Sequence, residues 1–99
     1  LTISVVRPDE THRAAWEALY AGYAGFYRVT QTPDMRARVW SWLHDPDETV
    51  ECFLALAADG TPVGLAHFRE FARPLAASRG CYLDDLFVEP SARGSGVAA

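Results

Sequence analysis

The feature that most constrains this chain is a run near its end, Val88-Glu89-Pro90-Ser91-Ala92-Arg93-Gly94-Ser95-Gly96-Val97-Ala98. Glycines at the mouth of a helix let backbone N–H groups approach a phosphate with no Cβ in the way. The helix N-terminus adds a field that favours negative charge. Arg93, immediately before the glycines, brings a forked cationic donor. Such a segment predicts a pyrophosphate cradle. It also predicts an α/β unit, because the cradle needs a strand to enter it and a helix to leave it.

Three chemistries compete for the glycines. Gly94-x-Gly96-x-x-Ala99 satisfies the dinucleotide fingerprint literally, but that fingerprint wants a strand running straight into its first glycine within an early βαβ unit. Here residues 89–93 intervene, and the loop comes late in the chain. No Gly-Lys-Ser/Thr follows, which excludes a Walker loop. A glycine turn before an ordinary helix is the third reading.

The rest of the sequence supplies the elements ahead of the loop. Residues 2–7 alternate polar and branched side chains and predict a first strand. Pro8 and Asp9 break it, Asp9 or Thr11 can cap a helix, and Ala15, Trp16, Leu19, Tyr20 and Tyr23 share one helical face. Gly22 and Gly25 weaken its far end. A second helix starts with Thr32 as cap and Pro33 at its first position. Met35, Val39, Trp42 and Leu43 form its apolar stripe, and Asp45-Pro46 ends it. Residues 50–58 and 62–71 read as strands joined through Asp59-Gly60, a short-range hairpin signal. Residues 72–79 read as a loop around Pro74, and 80–89 as a fourth strand. The expected order is β-α-α-β-β-β and then the start of a helix, in one mixed α/β domain spanning residues 1–99. A first residue other than methionine and a stop just after the glycine loop suggest a domain whose closing elements are missing.

Charge and composition narrow the partners. The 99 residues carry a net charge of −4, and all nine basic residues are scattered arginines. With no basic cluster to track a phosphate backbone, nucleic acid is not an expected partner. No apolar run reaches the roughly 18 residues that would span a bilayer, so a membrane is not expected either. Cys52 and Cys81 lack CxxC spacing and predict two buried thiols and no metal site. These absences point to a cytoplasmic protein, and a homodimer is an admissible assembly.

Taken whole, the segment from Asp84 to Ala98 resembles motif A of the GNAT superfamily of N-acetyltransferases, Gln/Arg-x-x-Gly-x-Gly/Ala. Here that motif is Arg93-Gly94-Ser95-Gly96-Val97-Ala98, and Val88-Glu89-Pro90 stands where the family has a Val-x-Pro-like turn. The resemblance implies acetyl-CoA as co-substrate. The backbone of Phe87 and Val88 would pair with the pantetheine arm, and an amide near a bulge in this strand would polarise the thioester carbonyl. Arg93, Gly94, Ser95, Gly96, Val97 and Ala98 would hold the pyrophosphate. The tyrosine that many members use to protonate the leaving thiolate would lie beyond Ala99; none of Tyr20, Tyr23, Tyr27 or Tyr82 takes its place.

Tyr82-Leu83-Asp84-Asp85-Leu86-Phe87-Val88 also resembles the motif strand of diamine and polyamine acetyltransferases, in which two acidic residues precede the cofactor-pairing stretch. An amine acceptor is protonated near neutral pH, and Asp84 and Asp85 are the candidates to attract it and help remove its proton. Strand alternation puts them on opposite faces, so one at most should face the amine. The competing role is structural, for instance a salt bridge from Arg69. His67 reads as a buried, hydrogen-bonded histidine or as a proton shuttle. Phe26, Tyr27, Trp40 and Trp42 are either cleft walls or core. The expected activity is acetyl transfer to a primary amine of a small cationic acceptor, polyamine-like or amino-acid-like. A protein amine is a second acceptor class, and a non-catalytic acyl-CoA-binding module is a third reading.

Overall fold

The architecture follows from where the apolar residues sit. In a computed structural model, which describes residues 3–94 and Val97, four strands form one antiparallel sheet. They are β1 (Ser4–Val6), β2 (Val50–Leu56), β3 (Pro62–Arg73) and β4 (Ser78–Val88), in spatial order β1-β2-β3-β4. Two helices, α1 (Arg13–Phe26) and α2 (Pro33–Leu43), lie between β1 and β2 in the chain. Cys52 and Leu54 of β2, Leu65 of β3 and Phe87 of β4 pack with Trp16 and Leu19 of α1 and Trp40 of α2 to form the core. Both helices therefore cover the same face of the sheet.

Local signals explain both helix starts. Asp9 accepts the Thr11 N–H at 2.9 Å, and His12 Nδ1 accepts the Asp9 N–H at 3.0 Å, closing a reciprocal cap ahead of the 3-10 turn Glu10–His12 and α1. Of the two capping candidates, Asp9 is the one used. Thr32 Oγ1 accepts the Met35 N–H at 3.2 Å, with Pro33 in the first turn of α2. α1 continues past Gly22, whose missing side chain has a packing purpose. A Cβ there would stand 3.3 Å from the Phe87 ring, so the glycine lets β4 approach the helix closely.

Two expectations are corrected. The stripe expected on α2 omits its most buried residue: Trp40 is 6% exposed, whereas Met35 and Trp42 are 47% and 39% exposed. Trp40 stacks on Trp16 at 5.1 Å and turns inward with it. Residues 72–79 are not simply a loop, because Ala72 pairs with Arg79 and Arg73 with Ser78 around the short turn Pro74–Ala76. The Phe71 ring lies over Gly80 across the ladder, and Arg79 pairs with Glu70 at 3.4 Å. Cross-strand contacts of this kind prolong a hairpin. β2 and β3 turn through Gly60 at φ +87°, as Asp59-Gly60 predicted.

Candidate functional site

The site is built around an irregularity in β4. Its register with β3 runs in step from Gly64↔Val88 to His67↔Asp85, and then Phe68 pairs with Leu83. Asp84 is thus an extra residue on β4, a β-bulge. A bulge interrupts the alternation of side chains, and here it brings Asp84 and Asp85 to one cleft of about 350 Å³. The expected placement on opposite faces is corrected for that reason. Tyr20 of α1 with Val39 and Trp42 of α2 line one side; His67, Arg69 and the two aspartates line the other.

The aspartates have different surroundings. Asp84 Oδ1 lies 3.1 Å from Arg69 Nη2, and the same guanidinium stacks 5.1 Å from the Tyr82 ring. This is the salt bridge that strand order suggested. Asp85 sits deeper. The Tyr20 hydroxyl donates to its Oδ2 at 3.0 Å, and His67 Nδ1 lies 2.9 Å from the same oxygen. His67 is 1% exposed, and its Nε2 accepts the Trp16 indole N–H at 3.0 Å. An indole nitrogen can only donate, so the lone pair of His67 is on Nε2 and the proton on Nδ1. The histidine is buried and hydrogen-bonded at both nitrogens. Burial alone would raise the Asp85 pKa, but donation from His67, Tyr20 and Tyr23 outweighs it and holds the carboxyl below its usual range. Burial, reinforced by the Asp85 charge, pushes Tyr23 up to about 12 and raises Tyr20 well above an ordinary phenol. Both hydroxyls are donors here.

Beside this cleft runs the outer edge of β4, which has no strand neighbour among the described residues. Glu89 N–H donates to Val63 C=O at 2.8 Å. Backbone groups alternate along a strand, so those of Phe87 also point toward β3, and those of Leu86 and Val88 point outward. Arg93 Nε donates to Val88 C=O at 2.8 Å, consistent with that direction. Of the two residues expected to offer their backbone, Val88 has the edge-facing geometry. Phe87 instead sends its backbone toward β3 and its buried ring under α1, and Leu86 shares the edge with Val88. A groove of about 250 Å³ follows this edge between Phe26, Tyr27, Leu86, Val88 and Arg93. The Arg93 guanidinium lies 4.9 Å from the Phe26 ring and 5.3 Å from that of Phe87.

The glycine loop is described only in part. After the short turn Pro90–Ala92, Gly94 adopts φ +83°, with nothing within 4 Å of where a Cβ would be. That open, left-handed backbone suits a ligand approaching its amides. Ser95, Gly96 and Ala98 lie outside the described residues, and so does most of the helix expected to follow. Val97 reaches the opposite face of the sheet, where a Cβ on Gly64 would stand 3.2 Å from its Cγ1.

Of the aromatic candidates, Trp42 lines the acidic cleft, Phe26 and Tyr27 line the edge groove, and Trp40 is core. Cys52 is buried and pushed up to about 12 by burial. Cys81, expected to be buried as well, is exposed because its pairing with Glu70 puts it, like Leu83, on the sheet face away from the helices. Among the described residues no group of three or more His, Cys, Asp or Glu is arranged to hold a metal ion, and no helix is long and apolar enough to cross a membrane. Sequence reasoning missed Tyr20 and Trp16 as partners of Asp85 and His67. The available signal was His67 itself, a polar residue at a core-facing position opposite a helix face rich in Trp and Tyr.

This architecture recurs in known proteins. D-amino-acid N-acetyltransferase HPA3 of Saccharomyces cerevisiae is 28% identical over 100 residues, which is 98% of this chain and 60% of that protein. The chain thus spans about three fifths of that relative's length. A ribosomal-protein-alanine N-acetyltransferase from Brucella melitensis biovar Abortus 2308 superposes with a TM-score of 0.77 at 21% identity, over 99% of this chain and 64% of that one. An aminoglycoside N-acetyltransferase, AAC(6')-Iy, in complex with CoA superposes with a TM-score of 0.79 at 23% identity, over 98% and 62%. At those identities the superpositions establish the fold. Residues 16–99, from the tryptophan that orients His67 to the end of the glycine loop, match the acetyltransferase (GNAT) family throughout, and the chain belongs to that family.

Proposed function

We propose that this chain carries the donor edge and the acceptor cleft of an acetyl-CoA-dependent N-acetyltransferase acting on the primary amine of a small molecule. The observation that carries this reading is the bulge at Asp84, which joins two carboxylates in one cleft beside a strand edge that has no neighbour among the described residues. Bound acetyl-CoA would supply a thioester carbonyl as electrophile. Leu86 and Val88 present outward backbone groups to an extended pantetheine arm, in the manner of strand addition. Val88 C=O becomes available to that arm once Arg93 releases it. Arg93, Gly94 and the rest of the loop through Ala98 would then face the pyrophosphate, and amides near the bulge would face the developing oxyanion.

The acceptor nitrogen must be neutral to attack. Asp85 attracts the ammonium form, and Asp84, on the more exposed side of the cleft, takes or relays its proton. The N–C bond forms, the C–S bond breaks, and the thiolate leaves to be protonated as free CoA. A cleft of about 350 Å³ suits a small acceptor better than a protein surface. Asp84, Asp85 and Glu48 against the single Arg69, itself paired with Asp84, leave the cleft net negative and favour a cationic acceptor. The likeness to a D-amino-acid N-acetyltransferase keeps amino acids among the candidates.

The test is an acceptor screen on the full-length protein, following free CoA release with amino acids, polyamines and peptide N-termini. Saturable release with small amines is the expected result. Release with peptides alone would move the acceptor to proteins. Tight acetyl-CoA binding with no release would make this a binding module.

A further inference from the structure

The acidic cleft contains an arrangement that the transfer chemistry leaves unexplained. Tyr20 and His67 converge on one oxygen of Asp85, Oδ2, at 3.0 and 2.9 Å. His67 is fixed in turn by the Trp16 indole at 3.0 Å, and Trp16 is 1% exposed and wedged against Trp40. The chain of bonds thus runs from the core into the cleft and stops at a carboxylate whose side chain keeps 19% of its surface exposed. A carboxylate accepts up to about four hydrogen bonds. With two donors on Oδ2 and the Tyr23 hydroxyl as a third, the carboxylate keeps capacity for a further donor, and it lines the cleft.

We propose that Tyr20 and His67 are positioning residues for the acceptor: by occupying Oδ2 they fix Asp85 as a rigid, ionised anchor that receives the substrate's ammonium group. The inference rests on the function proposed above and adds to it what aims and holds the binding carboxylate. His67 does not shuttle the proton. Its Nε2 faces an N–H donor deep in the core, so a proton taken from Asp85 would have no onward acceptor. Proton removal falls to Asp84, whose partner Arg69 is half exposed and lies on the solvent side.

The groups facing Asp85 are Tyr20 and Tyr23 from α1, Cys52 from β2, His67 from β3 and Asp84 from β4. Arg69 of β3 and Glu48, ahead of β2, line the same cleft. Removing one donor to Oδ2 while keeping the other charges should raise the pH at which Asp85 takes up a proton. In full-length protein, Tyr20→Phe is the decisive variant because it deletes one hydroxyl from a half-buried ring. His67→Leu removes the second donor, and His67→Asn restores an N–H at a similar place.

Two readouts are needed. Carbon-13 NMR of the Asp85 carboxyl should show a higher titration midpoint in Tyr20→Phe, and 1,3-diaminopropane added to the wild type should shift that resonance. In steady state, Tyr20→Phe should raise the acceptor KM at least fivefold, leave the acetyl-CoA KM unchanged and move the acid limb of kcat/KM to higher pH. His67→Asn should recover most of what His67→Leu loses. An Asp85 midpoint that rises while the acceptor KM stays fixed would make the network purely structural and overturn the proposal; an unchanged midpoint would do so as well. A wild type inactive toward every amine would overturn the transferase reading alone. The NMR shift with diaminopropane, present or absent, would then decide the anchor.

Discussion

Asp85 holds a negative charge inside the protein only because donors surround it, and that has a consequence for stability. Its folded pKa is depressed, despite burial, by His67, Tyr20 and Tyr23. The unfolded chain should return it to about 3.9. A depressed carboxylate contributes stability that is fully present above the unfolded value and is lost as pH falls through the folded one. Denaturant midpoints should therefore drop on acidification below about pH 4, and the drop should be shallower in Asp85→Asn. An identical acid profile in that variant would show that Asp85 ionises equally well in both states. At this scale legibility tracked sequence distance and strand order. Arg69 could be named as the partner of Asp84 because adjacent strands were expected to carry them. Tyr20 lies 65 positions from Asp85 and meets it only through the docking of α1 on the sheet, which no local pattern encodes.

At the scale of elements, the two helices matter for function because each supplies one side of the cleft. Tyr20 comes from α1, and Val39 and Trp42 come from α2. The start of α2 is capped by Thr32 Oγ1, which satisfies the Met35 N–H. Thr32→Ala should cost about 1 kcal/mol of stability, read from chemical denaturation, while Thr32→Ser should be close to neutral. Equal losses in both variants would mean that the Thr32 methyl packs rather than the hydroxyl caps. Both helix starts were readable because caps are local chemistry, set by residues three apart. The bulge was readable only by resemblance. Period-2 alternation describes a regular ladder, and one additional residue at Asp84 changes which face every residue before it occupies. The hairpin extension through Arg73↔Ser78 was missed for a related reason. Pro74 marks a turn, but the contact of Phe71 with Gly80 that closes the ladder around it is a cross-strand event.

For the whole molecule, the two faces of the sheet differ sharply. One is sealed by α1 and α2 around Trp16, Trp40, Leu54 and Leu65. On the other, Val5 is 61% exposed, Phe53 38%, Leu83 52% and Leu86 43%. Register places them together: Val5 pairs with Ala55, Phe53 with Ala66, Ala66 with Leu86 and Phe68 with Leu83, all on the face opposite the helices. Phe53 and Phe68 stack there at 4.9 Å, and the edge of β4, without a strand neighbour among the described residues, borders the same surface. An apolar patch beside an open strand edge favours association of copies, either face to face or by strand pairing. The 99-residue chain expressed alone should therefore bind a hydrophobic dye and self-associate as its concentration rises, with sedimentation velocity as the measure. Phe53→Ser with Leu86→Ser should suppress face-to-face association and leave the helix-covered core intact, because neither residue belongs to it. If association persists in that double variant, the β4 edge is responsible. A Pro at Leu86, whose N–H points outward, should then abolish it without breaking the bonds to β3. A chain that stays monomeric, binds no dye and melts in one sharp transition would show that the opposite face alone makes this fold self-sufficient.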